Sequence, residues 1–241
     1  NKLIIIIALL SISLCVPINN RFLVPVYIKV GTSIGYNDNV FKFSDSEKNN
    51  SNSYNYMGGN STYDSSILKP EFRLLYSPKI FKGKTSNFIL FTSYSNYPNI
   101  VDKNGIYSSV RFEYKIGPYS WLKFGYKNSL NNFLRYYVDN DIPEEDYLKC
   151  DYDSQSIFIS YSANFNDYGW SRVVFSKGSQ YYNSNFTEFD LDISKIDLKH
   201  YFSIKPFELN MNILLSHTIA DNISFVSGLN STAFDRSYNS S

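Results

Sequence analysis

The chain has 241 residues, with 23 Lys and Arg against 22 Asp and Glu, so its formal net charge is +1. This length suits one large domain, and the near-neutral balance excludes a bulk electrostatic case for nucleic acid or another polyanion. Aromatic residues make up 18%, with 22 Tyr and 19 Phe, so where the rings fall says more than how many there are.

Residues 2–17 read KLIIIIALLSISLCVP: one lysine, an apolar run from Leu3 to Val16, then Pro17. The run is too short to cross a bilayer as a helix and suits the apolar stretch of an export signal. A signal peptide is therefore expected over 1–18, with Ser13 and Cys15 as candidate cleavage-site residues. Acylation at Cys15 is disfavoured by Leu14, where a small residue is needed. Cys150 would then be the one cysteine left, which excludes a disulfide framework and a cysteine-built zinc site. The domain expected over 19–241 ends in RSYNSS with no closing element and reads as C-terminally incomplete.

Beyond residue 25 the dominant pattern is alternation of period two, the mark of a strand with two unlike faces. It predicts strands near 25–36, 67–77, 85–96, 106–116, 120–135, 155–165, 170–181, 187–203 and 207–219, and the start of a tenth at 236–241. In the first, Val26, Ile28, Val30, Ile34 and Tyr36 oppose Lys29, Gly31, Ser33 and Gly35. In the eighth, the phase changes near Ser194–Lys195, which predicts a bulge. The connections alternate in length. Residues 37–65, 97–105, 138–153, 182–186 and 220–235 form the longer set. Residues 78–84, 117–119, 166–169 and 204–206 form the shorter set. Barrels of the bacterial outer membrane sort their loops this way. Aromatic residues near both sets predict two interfacial girdles: Tyr76, Phe81, Tyr119, Trp121, Phe165, Tyr168, Trp170, Tyr201 and Phe207 by the short turns, and Tyr36, Tyr94, Tyr97, Tyr136, Tyr137, Tyr181 and Tyr182 by the long loops.

The hairpin 105–129 makes the reading quantitative. A three-residue loop Gly117-Pro118-Tyr119 sets Glu113 against Lys123, Tyr114 against Leu122 and Phe112 against Phe124. A slip of two residues would oppose Lys115 to Lys123 and Arg111 to Lys127, which like-charge repulsion disfavours. Holding Arg or Lys against lipid at the midplane costs about 2–4 kcal/mol. Lys69, Glu71, Arg73, Arg111, Glu113, Lys115, Lys123 and Lys127 are therefore expected to face a wet lumen. Small residues there, Gly31, Ser33, Gly35, Ser160 and Ser162, leave room.

GTSIGYNDNVFKFS, residues 31–44, resembles the first strand of the β-barrel porin-2 type of bacterial outer-membrane protein. Asp38, Asn39, Val40 and Phe41 fit that family's motif, and Asn37 stands where an Asp is usual. The resemblance covers about a dozen residues. It implies a location and a fold, and, through some members, a link to polysaccharide export.

Chemistry is sparse. Gly31-Thr32-Ser33-Ile34-Gly35 has the G-x-S-x-G spacing but lies in a strand followed by a polar loop, not a strand followed by a helix. His200 and His217 are expected at different heights in their hairpin, with no third ligand for a metal. The acidic run at 139–146 with Asp151 and Asp153 is rich in oxygen ligands yet lacks calcium-loop spacing and reads as a solvated loop. Phosphate-binding and dinucleotide motifs are missing. No metal or cofactor is expected.

The expectation is an all-β, antiparallel up-and-down transmembrane β-barrel in a Gram-negative outer membrane, with nine to ten strands visible. It would act as a passive pore or an export or assembly component. Its partners would be outer-membrane lipid and small solutes or polysaccharide, not nucleic acid. Two other readings stay open: a barrel-borne enzyme, which needs His217 to meet Ser and Asp partners, and a secreted soluble β-protein that binds surface glycans, which needs a second sheet over the apolar faces.

Overall fold

Alternating residues with turn signals between them favour strands that pair with their chain neighbours. In the computed structural model, which describes residues 22–49, 53–80, 84–138, 147–164, 169–204, 209–223 and 237–241, ten antiparallel strands form one sheet in simple chain order. They are β1 Val26–Asn37, β2 Ser65–Tyr76, β3 Ser86–Ser95, β4 Gly105–Gly117, β5 Ser120–Val138, β6 Tyr147–Asn164, β7 Gly169–Tyr182, β8 Leu191–Ile204, β9 Leu209–Asn222 and β10 Tyr238–Ser240. β1 and β10 are the two edges, and no pairing joins them. The export signal, the acidic run 139–146, the turns around 166 and 205, the loop 224–236 and the rings of Phe81, Phe165, Tyr168 and Phe207 lie outside the described residues.

The expected hairpin register holds: Glu113 faces Lys123, Tyr114 faces Leu122 and Phe112 faces Phe124. The turn works because Tyr119 adopts φ 58°, the left-handed residue that closes a three-residue hairpin loop. The register shifts between Lys115 and Gly117 as the bulge of that turn.

Three features differ from expectation. β5 and β6 run on to Val138 and back to Tyr147, so Asp151 and Asp153 belong to a strand and not to a loop. Irregularities between Ser129 and Asn132 and between Phe133 and Arg135 let this extension bend, and they hid its alternation. Asn131 takes φ 57° there, and its side-chain amide donates to the carbonyl oxygens of Asp102 and Asn104. Second, β8 starts at Leu191 after a 3₁₀ turn at Thr187–Phe189. It carries no bulge at Ser194–Lys195, since its register with β7 and β9 runs one for one. The phase change is a change of surroundings: the face bearing Lys195 and Asp197 bears buried Leu191 nearer the loops. Third, the connection between β1 and β2 holds two one-turn helices, α1 Asp45–Lys48 and α2 Ser53–Tyr56.

That connection also holds the main apolar core cluster. Val40, Phe41, Phe43 and Met57 from it bury with Ile100 from the β3–β4 connection and Phe133 from β5. Asn39 makes the fold-back possible. Its side chain accepts from the Phe43 N–H at 2.9 Å and donates to the Phe43 carbonyl at 2.7 Å, turning Phe41 and Phe43 to stack at 5.4 Å. Gly58 sits against the Tyr136 ring, where any Cβ would collide. Ser44 and Glu47 cap α1 reciprocally, and Arg135 Nη1 on β5 bonds Glu47 at 2.6 Å.

Two predictions follow from the turn and the cluster. In the left-handed region a Cβ costs roughly 1–2 kcal/mol, more for a branched residue. Tyr119→Val should therefore lower the urea midpoint of the detergent-folded protein, and Tyr119→Gly should not. The hydrogen bonds from Ser44 and then Arg135 hold the Glu47 carboxyl down at about 2. A depressed carboxyl stabilises above its ordinary value and loses that contribution as pH falls. Hydrogen exchange of Val40–Phe43 should thus rise as pH drops from about 4.5 to about 2, more steeply in the native chain than in Glu47→Gln.

Candidate functional site

Period two gives the sheet an apolar face and a polar face, and the register allows every strand to be assigned. One cross-strand row on the polar face runs Asn87, Glu113, Lys123, Ser160, Val174, Asp197, Ser216. Another runs Lys29, Arg73, Phe91, Ser109, Lys127, Ser156. Lys69, Glu71 and Arg73 on β2, Arg111, Glu113 and Lys115 on β4, and Lys123 and Lys127 on β5 all fall on this one face. The structure thus brings the eight expected residues to a common surface.

The centre of that surface is a buried carboxylate. Glu113 is 8% exposed. It takes Arg111 Nε at 2.8 Å, Lys123 Nζ at 3.1 Å and the Asn87 amide at 3.2 Å. Two hydrogen-bond donors, Lys123 and Asn87, and the nearby Arg111 charge offset the desolvation that an isolated buried carboxylate would suffer. Lys69 pairs with Glu71 at 3.3 Å. Lys115 lies 6.0 Å from the centroid of the Trp121 ring, and Lys127 lies 5.0 Å from that of Phe158.

The register places Lys29, already set on the polar side of the first strand by its alternation, on this face. It adds residues that the sequence reading did not single out: Arg172, Lys195, Asp197 and Lys199 also belong to the polar face. Only alternation through the later strands could have found these four, and there Val173-Val174 and Ile196 blur it. Phe158 also belongs here and lies over Gly125, where a Cβ would come within 2.3 Å of its ring. Trp121, Trp170 and Tyr201 share the polar face too. They therefore do not join an outward girdle, as expected from their position by the short turns. Of the expected outward rings, Tyr36, Tyr76, Tyr94 and Tyr181 lie on the apolar face, while Tyr97 and Tyr136 pack against the loop cluster.

The apolar face is bare. Ile34 is 80% exposed, Val30 75%, Ile157 61% and Phe175 54%. A ladder of rings, Tyr76, Phe88, Phe112 and Phe124, crosses four strands. Towards the loops it meets a row that is polar from β3 to β9: Thr92, Ser108, Asn128, Gln155, Ser179, Asp192, Asp221. Lys177 sits one row inside that border, where its long stem can lift the ammonium outward. The twisted sheet has open depressions on both faces, about 810 Å³ between Val110, Phe124, Ile157 and Phe175, and about 240 Å³ between Lys127, Ser156, Gly178 and Lys195. Shape alone therefore does not distinguish the two faces; chemistry does.

The histidines lie on the apolar face, four residues apart in register. His200 Nδ1 bonds the Ser171 hydroxyl, and His217 Nδ1 reaches Ser241 Oγ at 2.8 Å. No carboxylate is recorded with either among the described residues, and no group of three His, Cys, Asp or Glu there could hold a metal. Ser33 of the G-x-S-x-G spacing lies inside β1.

No family model matches the chain, and neither the curated proteins nor the solved structures contain a match. The resemblance in residues 31–44 therefore stands on its own residues. Structurally, that stretch is the end of β1 and the Asn39 fold-back that starts the loop cluster.

Gly125→Ala should displace the Phe158 ring and lower the unfolding free energy by about 1–3 kcal/mol, the cost of an overpacked contact. Phe158→Ala in the same chain should remove most of that penalty, as a double-mutant cycle in urea would show.

Proposed function

We propose that this chain forms the wall of a bacterial outer-membrane β-barrel, its polar face lining a wet lumen and its apolar face meeting lipid, and that it serves as a passive pore or as an export component of the cell envelope. The observation that carries the reading is the course of the apolar band. Val26 on β1 and His217 on β9 share one cross-strand row. On β1 the apolar positions run from that row towards the loops, to Tyr36. On β9 most run the other way, down to Met211. The middle of the band steps along the strands by roughly one residue per strand, which is what a level belt does when strands about 4.8 Å apart tilt by about 35–45°. A soluble sandwich has no need of such a slanted band and would cover it with a second sheet.

Mechanism on this reading is passive. Water and solutes would pass along a lining of Arg, Lys, Glu and Ser, whose fixed charges sort what enters. The resemblance in residues 31–44 adds polysaccharide to the candidate cargo. The enzyme reading lacks an acid beside either histidine among the described residues.

Adjacent positions on β6 give a direct test. A fluorophore on Ile159→Cys should be quenched by brominated lipid and shielded from aqueous iodide, and one on Ser160→Cys should show the reverse. Equal behaviour at both sites would remove the barrel reading. In planar bilayers, single-channel conductance that shifts on Arg111→Gln or Lys123→Gln would favour the pore over a closed scaffold.

A further inference from the structure

The overall charge of +1 conceals a separation. Among the described residues, the polar face carries the ten bases named above and three carboxylates, Glu71, Glu113 and Asp197. Each carboxylate is engaged: Glu71 by Lys69, Glu113 by Arg111 and Lys123, and Asp197 by Lys195 at 3.0 Å and Ser216 Oγ at 2.7 Å. The acids that balance the chain lie instead around the loops, among them Asp45, Glu47, Asp64, Asp102 and Glu188.

The excess is sharpest in one row near the short turns: Lys115, Trp121, Ser162, Arg172, Lys199. Arg172 and Lys199 stand directly opposite each other on β7 and β8, and no salt bridge is recorded for either among the described residues. Like charges so placed repel. Trp170 holds both, with the Arg172 guanidinium 5.1 Å and the Lys199 ammonium 5.9 Å from its ring centroid, a contact that favours cations but does not neutralise them. Two buried polar atoms nearby have no partner: Arg172 Nε and Ser160 Oγ. Ser160 is 3% exposed and Ser162, opposite Arg172, is 8% exposed. A planar guanidinium, an ammonium and small hydroxyls, with Arg172 Nε unspent and the acid of the next row, Asp197, already engaged by Lys195 and Ser216, make a receptor for a group with several anionic oxygens.

We propose that Arg172 and Lys199, with Ser160 and Ser162 beside them, form a binding site for a phosphate-type oxyanion on the polar face. The proposal rests on the reading that water fills that face. It would place an anion-attracting step in the path of any solute.

The chain's two tryptophans, Trp121 and Trp170, both lie at the site, so their fluorescence reports on it. Sodium tripolyphosphate titrated at constant ionic strength into the full-length, detergent-folded protein should give a saturable change in emission. Arg172→Gln and Lys199→Gln should each weaken the half-saturation point at least tenfold, Arg172→Lys should recover part of the loss, and Lys29→Gln should leave it within twofold. Dihexanoyl phosphatidate serves as a second arm. Saturation by tripolyphosphate assigns a free phosphate group, and saturation by phosphatidate alone assigns a lipid headgroup. Saturation by neither, or equal binding in folded Lys199→Gln, overturns the site. Conductance is read separately: a protein that conducts but does not bind loses the oxyanion site, and one that binds but neither conducts nor shows the β6 quenching alternation loses the barrel.

Discussion

Register is the constraint on which the rest depends. Side chains alternate at every residue, so slipping one strand by one residue would turn each of its charges onto the apolar face. Glu113 guards against this at the middle of the sheet. It is almost fully buried and held by Arg111, Lys123 and Asn87, so a slipped β4 or β5 would leave a buried carboxylate without donors, or two lysines face to face. The Tyr119 turn sets the same register from the hairpin's end. Each neighbouring strand then inherits its faces from this hairpin.

A chain built this way has an unusual distribution of burial. Its best-buried large side chains, Phe41, Phe133 and Ile100, belong to a small cluster by the long loops, to which the sheet contributes Phe133 from the projecting end of β5. The sheet is held by its backbone ladder, by cross-strand pairs and by rings such as Phe88 on Phe112 at 4.8 Å. Its apolar face offers aliphatic and aromatic surface to whatever lies outside. On the proposed reading, lipid would satisfy that face without a second protein layer. The Asn39 fold-back and the Arg135–Glu47 pair keep the loop cluster fixed to the projecting ends of β5 and β6.

The same alternation sorts charge. Every second residue can accumulate charge on one face without disturbing the other, and among the described residues ten bases against three acids on the polar face show how far that has gone. Coulomb attraction along such a surface acts before any specific contact and raises the local concentration of anions. Where Arg172 faces Lys199 over the Trp170 ring, no salt bridge relieves the repulsion among the described residues, and Ser160 and Ser162 lie on the neighbouring strand of the same face.

The sequence by itself determined the strand-by-strand alternation, the sorting of long and short connections, the charged face of the 105–129 hairpin and its register. These are local properties: side-chain period and turn chemistry act over a few residues, so a linear reading reaches them. Only the tertiary structure decided the rest. The length of β5 and β6 was hidden because irregular pairing near Asn131 breaks the period. The apparent bulge in β8 dissolved because residues of one face meet different surroundings at different heights. Trp121, Trp170 and Tyr201 could be assigned to the polar face only once their partners were known. The meeting of Arg172 and Lys199 depends on pairing between strands whose residues are 27 apart in the chain, and no local pattern carries that distance.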